Sequence, residues 1–229
     1  MFQFKQFTIH QDCCAQKVSE VACVQGAWTI LPTHCKTMLD IGSGTGLLSL
    51  MFAQRYPQLA IDVIEIDEAT YKQGEENITS SPFTKNITCL LANINHYKPA
   101  KKYDFICCNP PFFEDQLSSP KPLSNIAKHA TQLTLHQLLT AIDRLLNEAG
   151  SFSILFPYNR LQECVDLCRT FHFYPSKILC IQHSIAHQAK VFVGIFTREE
   201  KTCSLEELIL KQDGQRSETL KVLMKDFYL

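Results

Sequence analysis

The sequence predicts an α/β fold: a doubly wound sheet, mostly parallel, with one antiparallel strand. Three observations predict it. Short apolar runs alternate with segments of helical period along most of the chain. A glycine-rich turn, Gly42-Ser43-Gly44-Thr45-Gly46, follows the first run and opens a helix. The last two apolar runs of this core are joined only by residues 182–189, which is too short for a parallel crossover, so that pair must be antiparallel.

The elements follow in order. Residues 38–41, 60–66, 86–91, 103–108 and 151–156 read as short buried strands. Residues 47–54 and 68–77 read as helices between the first three. Residues 134–146 carry Leu135, Leu138, Leu139, Ile142, Leu145 and Leu146 at helical spacing, with Gly150 as the expected terminator. Residues 159–171 place Leu161, Cys164, Val165 and Cys168 on one helical face. Residues 177–181 and 190–196 close the core as strands. Beyond them, 205–210 reads as strand or helix, Asp213-Gly214 as a turn, and a helix starts from Ser217. Residues 118–128 are polar, contain Pro120 and Pro122, and read as a loop. The expected organisation is a single domain over 1–229, with an N-terminal extension (1–36), a core (37–198) and a C-terminal appendage (199–229).

The chain has 229 residues, 45% hydrophobic and 20% charged, which suits one globular domain with a sizeable core. A formal net charge of −1 argues against unspecific polyanion binding by the whole surface, but permits a local basic patch. Eleven cysteines occur with no C-x-x-C spacing, so neither a zinc site nor a disulfide framework is expected. Cys164 and Cys168, one helical turn apart, read as buried core residues. So many free thiols point to a reducing compartment. The N-terminus lacks the apolar stretch of a signal peptide, and no apolar run approaches membrane-spanning length. The expectation is a cytoplasmic monomer with no metal and no membrane contact.

The chemistry is concentrated in Asn109-Pro110-Pro111-Phe112, directly after the strand 103–108. The Asn109 side-chain oxygen and the Pro110 carbonyl are two acceptors, enough for both hydrogens of an exocyclic amine. The Phe112 ring can stack on the base that carries the amine. Asp40 and Gly42, Gly44 and Gly46 form the turn after the first strand. Their spacing differs from the dinucleotide fingerprint G-x-G-x-x-G, so a pyrophosphate is not required. S-adenosylmethionine has none. Glu65 ends the second strand, where a carboxylate can accept from both ribose hydroxyls. Asn93 follows the third strand and is placed to meet the cofactor's adenine. Asn-Pro and glycine turns also occur for purely structural reasons. Their shared place at strand carboxyl ends favours a ligand site.

With these motifs in place, the pattern of a parallel sheet ending in an antiparallel pair resembles class I methyltransferases. The chain as a whole resembles the tRNA1(Val) adenine-N6 methyltransferases. The resemblance is carried by Phe4-Lys5-Gln6-Phe7, by Asp12 to Lys17-Val18, and by Gly26-Ala27-Trp28. It continues through residues 39–48, Glu65-Ile66-Asp67-Glu68, Asn109-Pro110-Pro111-Phe112-Phe113, Lys128-His129 and the terminal Lys225-Asp226-Phe227-Tyr228-Leu229. It implies S-adenosylmethionine as cofactor and tRNA as partner, with methylation of the adenine 3′ of the anticodon. Two departures stand out. Ser19-Glu20-Val21-Ala22 occupies the place of the family's usual Gly-Thr-Asp-Gly, and Asn93 that of its usual Asp.

Candidate phosphate contacts are Lys5, Lys17, Lys121, Lys128 with His129, and Lys190 beside His183 and His187. Guanine-N2 and protein-glutamine methyltransferases share the Asn-Pro-Pro-aromatic grip and stay open as alternatives, as does a non-catalytic module that binds cofactor or RNA. Only about 37 residues precede the first strand. Glutamine enzymes typically carry a separate N-terminal helical domain, so this short stretch weighs against them.

Overall fold

The computed structural model describes residues 1–14, 17–110 and 133–229. Within them the strands are β1 (Phe2–Gln3), β2 (Thr8–Ile9), β3 (Thr37–Ile41), β4 (Ala60–Glu65), β5 (Ile87–Leu91), β6 (Tyr103–Cys108), β7 (Leu146–Pro157), β8 (Tyr174–Gln182), β9 (Ala189–Thr197), β10 (Ser204–Ile209), β11 (Lys211–Gln212) and β12 (Gln215–Arg216). The helices are α1 (Glu20–Trp28), α2 (Leu47–Arg55), α3 (Glu68–Thr79), α4 (Leu135–Leu145), α5 (Leu161–Thr170) and α6 (Glu218–Met224). The predicted loop 118–128 lies outside the described residues.

One eight-stranded sheet runs β10-β8-β9-β7-β6-β3-β4-β5. Only β9 opposes its neighbours, pairing antiparallel with both β7 and β8; the other pairs in this sheet are parallel. The predicted fold class, with its single antiparallel strand, is therefore what forms. Alternation along the strands sends Met38, Phe105 and Cys107 to one face and Leu39, Ile106 and Cys108 to the other. The first face packs under α1, α2 and α6, and the second under α4 and α5, so both sides of the parallel strands are covered.

Three features differ from the sequence reading. Helix α1 has no predicted counterpart. Its N-cap is Ser19, whose side chain accepts from Ala22 N, and residues 22–27 are all buried. A helix buried nearly all round shows no apolar stripe, so its sequence carries no 3.6-residue signal. Gly150 does not terminate α4. That helix ends at Leu145, and Gly150 lies inside the longer β7. There the pairing with β6 jumps from Tyr103↔Leu146 to Phe105↔Ser151, so the intervening chain forms an irregular excursion. A Cβ at Gly150 would sit 2.8 Å from Leu146 Cγ. The ambiguous segment near 205 is the strand β10, added parallel to β8. Trp28 Nε1 donates to Glu206 Oε2 at 2.8 Å, tying β10 to α1.

Among the described residues no helix is long and apolar enough to cross a membrane, and no group of three or more His, Cys, Asp or Glu could hold a metal ion. Cys164 and Cys168 are both buried free thiols on α5, as read from their spacing.

Candidate active site

Parallel strands bring their carboxyl ends to one edge of the sheet. β6, β3, β4 and β5 are consecutive in it, so the residues after each strand become neighbours. The turn after β3 follows from its glycines. Gly42, Gly44 and Gly46 have φ of 69°, 56° and 79°, a region that side chains with a Cβ disfavour. Gly42 N and Ser43 N donate to Ile64 O at 2.8 and 3.1 Å, which fastens the turn across β4. A Cβ built on Gly42 or Gly44 would meet nothing within 4 Å. The turn thus presents bare backbone to open space.

Glu65 ends β4 with its carboxylate already oriented. Oε2 accepts from Gly44 N at 3.1 Å, and Oε1 accepts from Ile66 N at 2.8 Å and Asp67 N at 3.0 Å. Three backbone donors leave one lone pair, on Oε2, for a ribose hydroxyl. Asp40 lies deeper. It is 1% exposed, and Ser49 Oγ donates to its Oδ2 at 2.7 Å. Burial pushes its carboxyl up to about 6, against the pull of Ser49. The bond from Ser49 ties the end of β3 to α2. Asn93 follows β5. Its Oδ1 accepts from Asn95 N at 2.9 Å, so a local turn uses one lone pair, and its Nδ2 has no partner among the described residues.

At the end of β6, Asn109 Oδ1 is buried with no hydrogen-bond partner among the described residues. A buried, unpaired acceptor costs roughly 1–3 kcal/mol, and the cost is recovered when a donor arrives. Pro110 is buried beside it. Pro111, Phe112, Lys121, Lys128 and His129 lie outside the described residues. Lys17 and Lys190 are both exposed, Lys17 after the N-terminal segment and Lys190 in β9. Cys107 and Cys108, just before the grip, are held neutral: burial, then the Asp40 charge, raises both thiols well above their usual range.

Several supporting residues escaped the sequence reading. Gln25 of α1 is fully buried, and its Nε2 donates to Cys108 O at 3.1 Å and Ser153 Oγ at 3.2 Å. It holds the peptide that leads into Asn109. Asn77 of α3 donates from Nδ2 to His10 O at 2.8 Å and Thr45 O at 3.0 Å, while its Oδ1 accepts from His10 N at 2.8 Å. One side chain therefore ties the N-terminal segment to the glycine turn. Gln73 Oε1 accepts from Cys13 N at 3.4 Å one turn earlier. Gly74, between them, was legible in principle, because a glycine inside a helix costs about 1 kcal/mol and signals a close approach.

This geometry fits a nucleoside-bearing methyl donor over the turn and an amine at Asn109. The methyltransferase small domain family model matches residues 27–156. A tRNA1(Val) (adenine(37)-N6)-methyltransferase from Flavobacterium psychrophilum is 34% identical, covering 100% of this chain and 99% of the relative. One from Dyadobacter fermentans is 39% identical, covering 100% and 97%. Among solved structures, a predicted O-methyltransferase from Agrobacterium tumefaciens superposes with TM-score 0.68 at 13% identity, covering 90% of this chain and 95% of that one. The CcbJ methyltransferase from Streptomyces caelestis gives 0.57 at 10% identity, covering 82% and 95%. At such identities the structural likeness concerns the fold.

Proposed function

Because the chain belongs to the tRNA1(Val) (adenine(37)-N6)-methyltransferase family, we propose that it methylates N6 of the adenine just 3′ of the anticodon in that tRNA. The observation that carries the reading is the buried, unpartnered Oδ1 of Asn109, one strand away from the open glycine turn.

Bound S-adenosylmethionine supplies the methyl group as an electrophilic sulfonium. Gly42, Gly44 and Gly46 let the donor lie against backbone, and Glu65 takes one of its ribose hydroxyls. Asn93 would meet its adenine, and Asp40, tied to Ser49, would hold the end of β3 beside it. The substrate adenine is a poor nucleophile, because its N6 lone pair is delocalised into the ring. Asn109 Oδ1 and the Pro110 carbonyl each accept one N6–H, which opposes that delocalisation and aims the lone pair at the methyl carbon. The N6–C bond forms as the C–S bond breaks, and sulfur keeps the electron pair. N6, now cationic, releases its extra proton to water, so no strong base is needed beforehand. Positioning alone supplies roughly 7–11 kcal/mol in well-oriented reactions. Phe112 is the proposed stacking partner of the base, with Pro111 part of the same motif. Unpairing costs little for a base in an anticodon loop. Lys17, Lys121, Lys128 with His129, and Lys190 are the proposed phosphate contacts.

The test is nucleoside mass spectrometry of tRNA lacking the modification, incubated with the protein and labelled S-adenosylmethionine. N6-methyladenosine next to the anticodon is the expected product. Labelled N2-methylguanosine, or no labelled nucleoside with any tRNA, overturns the reading.

A further inference from the structure

Nine large hydrophobic residues stand exposed among the described ones, and Tyr158 is the only aromatic in that set, at 38%. It starts the short turn Tyr158–Arg160 directly after β7, and this turn lies against β9. The last antiparallel pair of β7 and β9 is Pro157↔Val191. One step further along each strand stand Tyr158 and Lys190. Lys190 is exposed and falls where the β8–β9 register breaks, between Ile181↔Val191 and Gln182↔Ala189. Its ammonium has no ion pair or hydrogen bond among the described residues, and the Tyr158 hydroxyl likewise has none.

The place of this pair is what gives it meaning. β7 lies next to β6 with Cys108↔Ile154 in register, so Asn109 at the end of β6 and Tyr158 at the end of β7 share the same edge of the sheet. Neighbouring strands are about 4.8 Å apart, which puts β9 roughly 10 Å from β6. A base turned into the Asn109 grip leaves the nucleotide beside it without its stacking neighbour. An exposed ring restores the stack, and a free cation meets the phosphate.

We propose that Tyr158 and Lys190 form a subsite for the nucleotide adjoining the methylated adenine, the ring stacking on its base and the ammonium pairing with its phosphate. This rests on the function proposed above. The subsite binds single-stranded RNA and takes no part in cofactor binding.

The test compares wild type, Tyr158→Ala, Tyr158→Phe and Lys190→Ala on unmodified tRNA over a range of salt concentrations, with S-adenosylmethionine affinity measured in parallel. Tyr158→Ala should raise KM for tRNA roughly tenfold, and Tyr158→Phe should restore it, because the stack needs the ring and not the hydroxyl. Lys190→Ala should flatten the slope of log affinity against log salt by about 0.7, the share of one single-strand phosphate contact, and Tyr158→Ala should leave that slope alone. Cofactor affinity should hold in all variants. Active wild type with an unchanged tRNA KM in Tyr158→Ala overturns the subsite alone, as does a KM rise matched by lost cofactor affinity. Wild type inactive on every tRNA overturns the proposed function and the subsite with it.

Discussion

A Cβ on Gly74 would stand 2.6 Å from the carbonyl oxygen of Gly44. Helix α3 therefore presses its backbone onto the glycine turn, and only hydrogen fits between. Gly74→Ala gains about 1 kcal/mol in helix propensity, yet must push back a backbone atom and not a flexible side chain. The turn has to shift. The Kd for S-adenosylmethionine should rise about tenfold or more, with overpacking lowering stability by about 1–3 kcal/mol. Titration calorimetry and a melting curve check both.

Asn77 is the second tie on that turn, with its two donors and its acceptor all engaged. Asn77→Leu keeps the branching of the side chain but leaves the carbonyls of His10 and Thr45 and the His10 N–H without this partner. Cofactor affinity should fall about tenfold, and residues 10–14 should become more open to amide exchange. Hydrogen exchange that stays unchanged there would show that Asn77 does not hold the segment.

Glu65→Gln tests the ribose contact. The carboxylate accepts three backbone N–H groups, and an amide presents two donors of its own to that cluster. Losing a charge-assisted site costs roughly 1.5–3 kcal/mol, so cofactor affinity should drop about 10- to 100-fold. Binding measured by calorimetry at near wild-type strength would remove Glu65 from the cofactor site.

Asn109→Ala separates grip from cofactor. Methyl transfer to tRNA should fall at least a thousandfold, on the order of 4 kcal/mol, if most of the orientation is lost. S-adenosylmethionine affinity should stay within about twofold of wild type if the proposed role of Asn109, holding the acceptor amine, is right. Single-turnover kinetics with saturating cofactor give the first quantity and calorimetry the second.

Asp40 gives a pH signature. Burial raises its carboxyl from 3.8 to about 6 in the folded chain. Between those values the folded state holds a proton that the unfolded chain has released. Stability from this group is therefore full below about pH 4 and is lost as pH rises toward 6. The loss is on the order of 3 kcal/mol. Asp40→Asn should lack this slope. Denaturant midpoints for both proteins at pH 4.5 and 6.5 provide the check, and parallel slopes would contradict it.

Much of this was legible in the sequence, for a physical reason. Strand alternation, the glycine turn and the amphipathic helices α4 and α5 are local patterns, and each appears close to where it was read. Glu65 and Asn109 were placed at strand carboxyl ends from strand boundaries alone, and the structure has them there, at the ends of β4 and β6. Helix α1 was hidden because burial on nearly all sides erases periodicity.

What the tertiary structure decided is which distant groups meet. Sequence spacing does not bring Gly74 to Gly44, Asn77 to both His10 and Thr45, or Gln25 to the carbonyl before Asn109. Those contacts are set by how closely α3 and α1 pack on the sheet. The sequence by itself determined the fold class and the family pattern, because these rest on local residue chemistry. The buried, unpaired state of Asn109 Oδ1 and the placing of Tyr158 and Lys190 one step beyond the pair Pro157↔Val191 came only from the folded chain, in which strand order and register fix neighbours across the sheet.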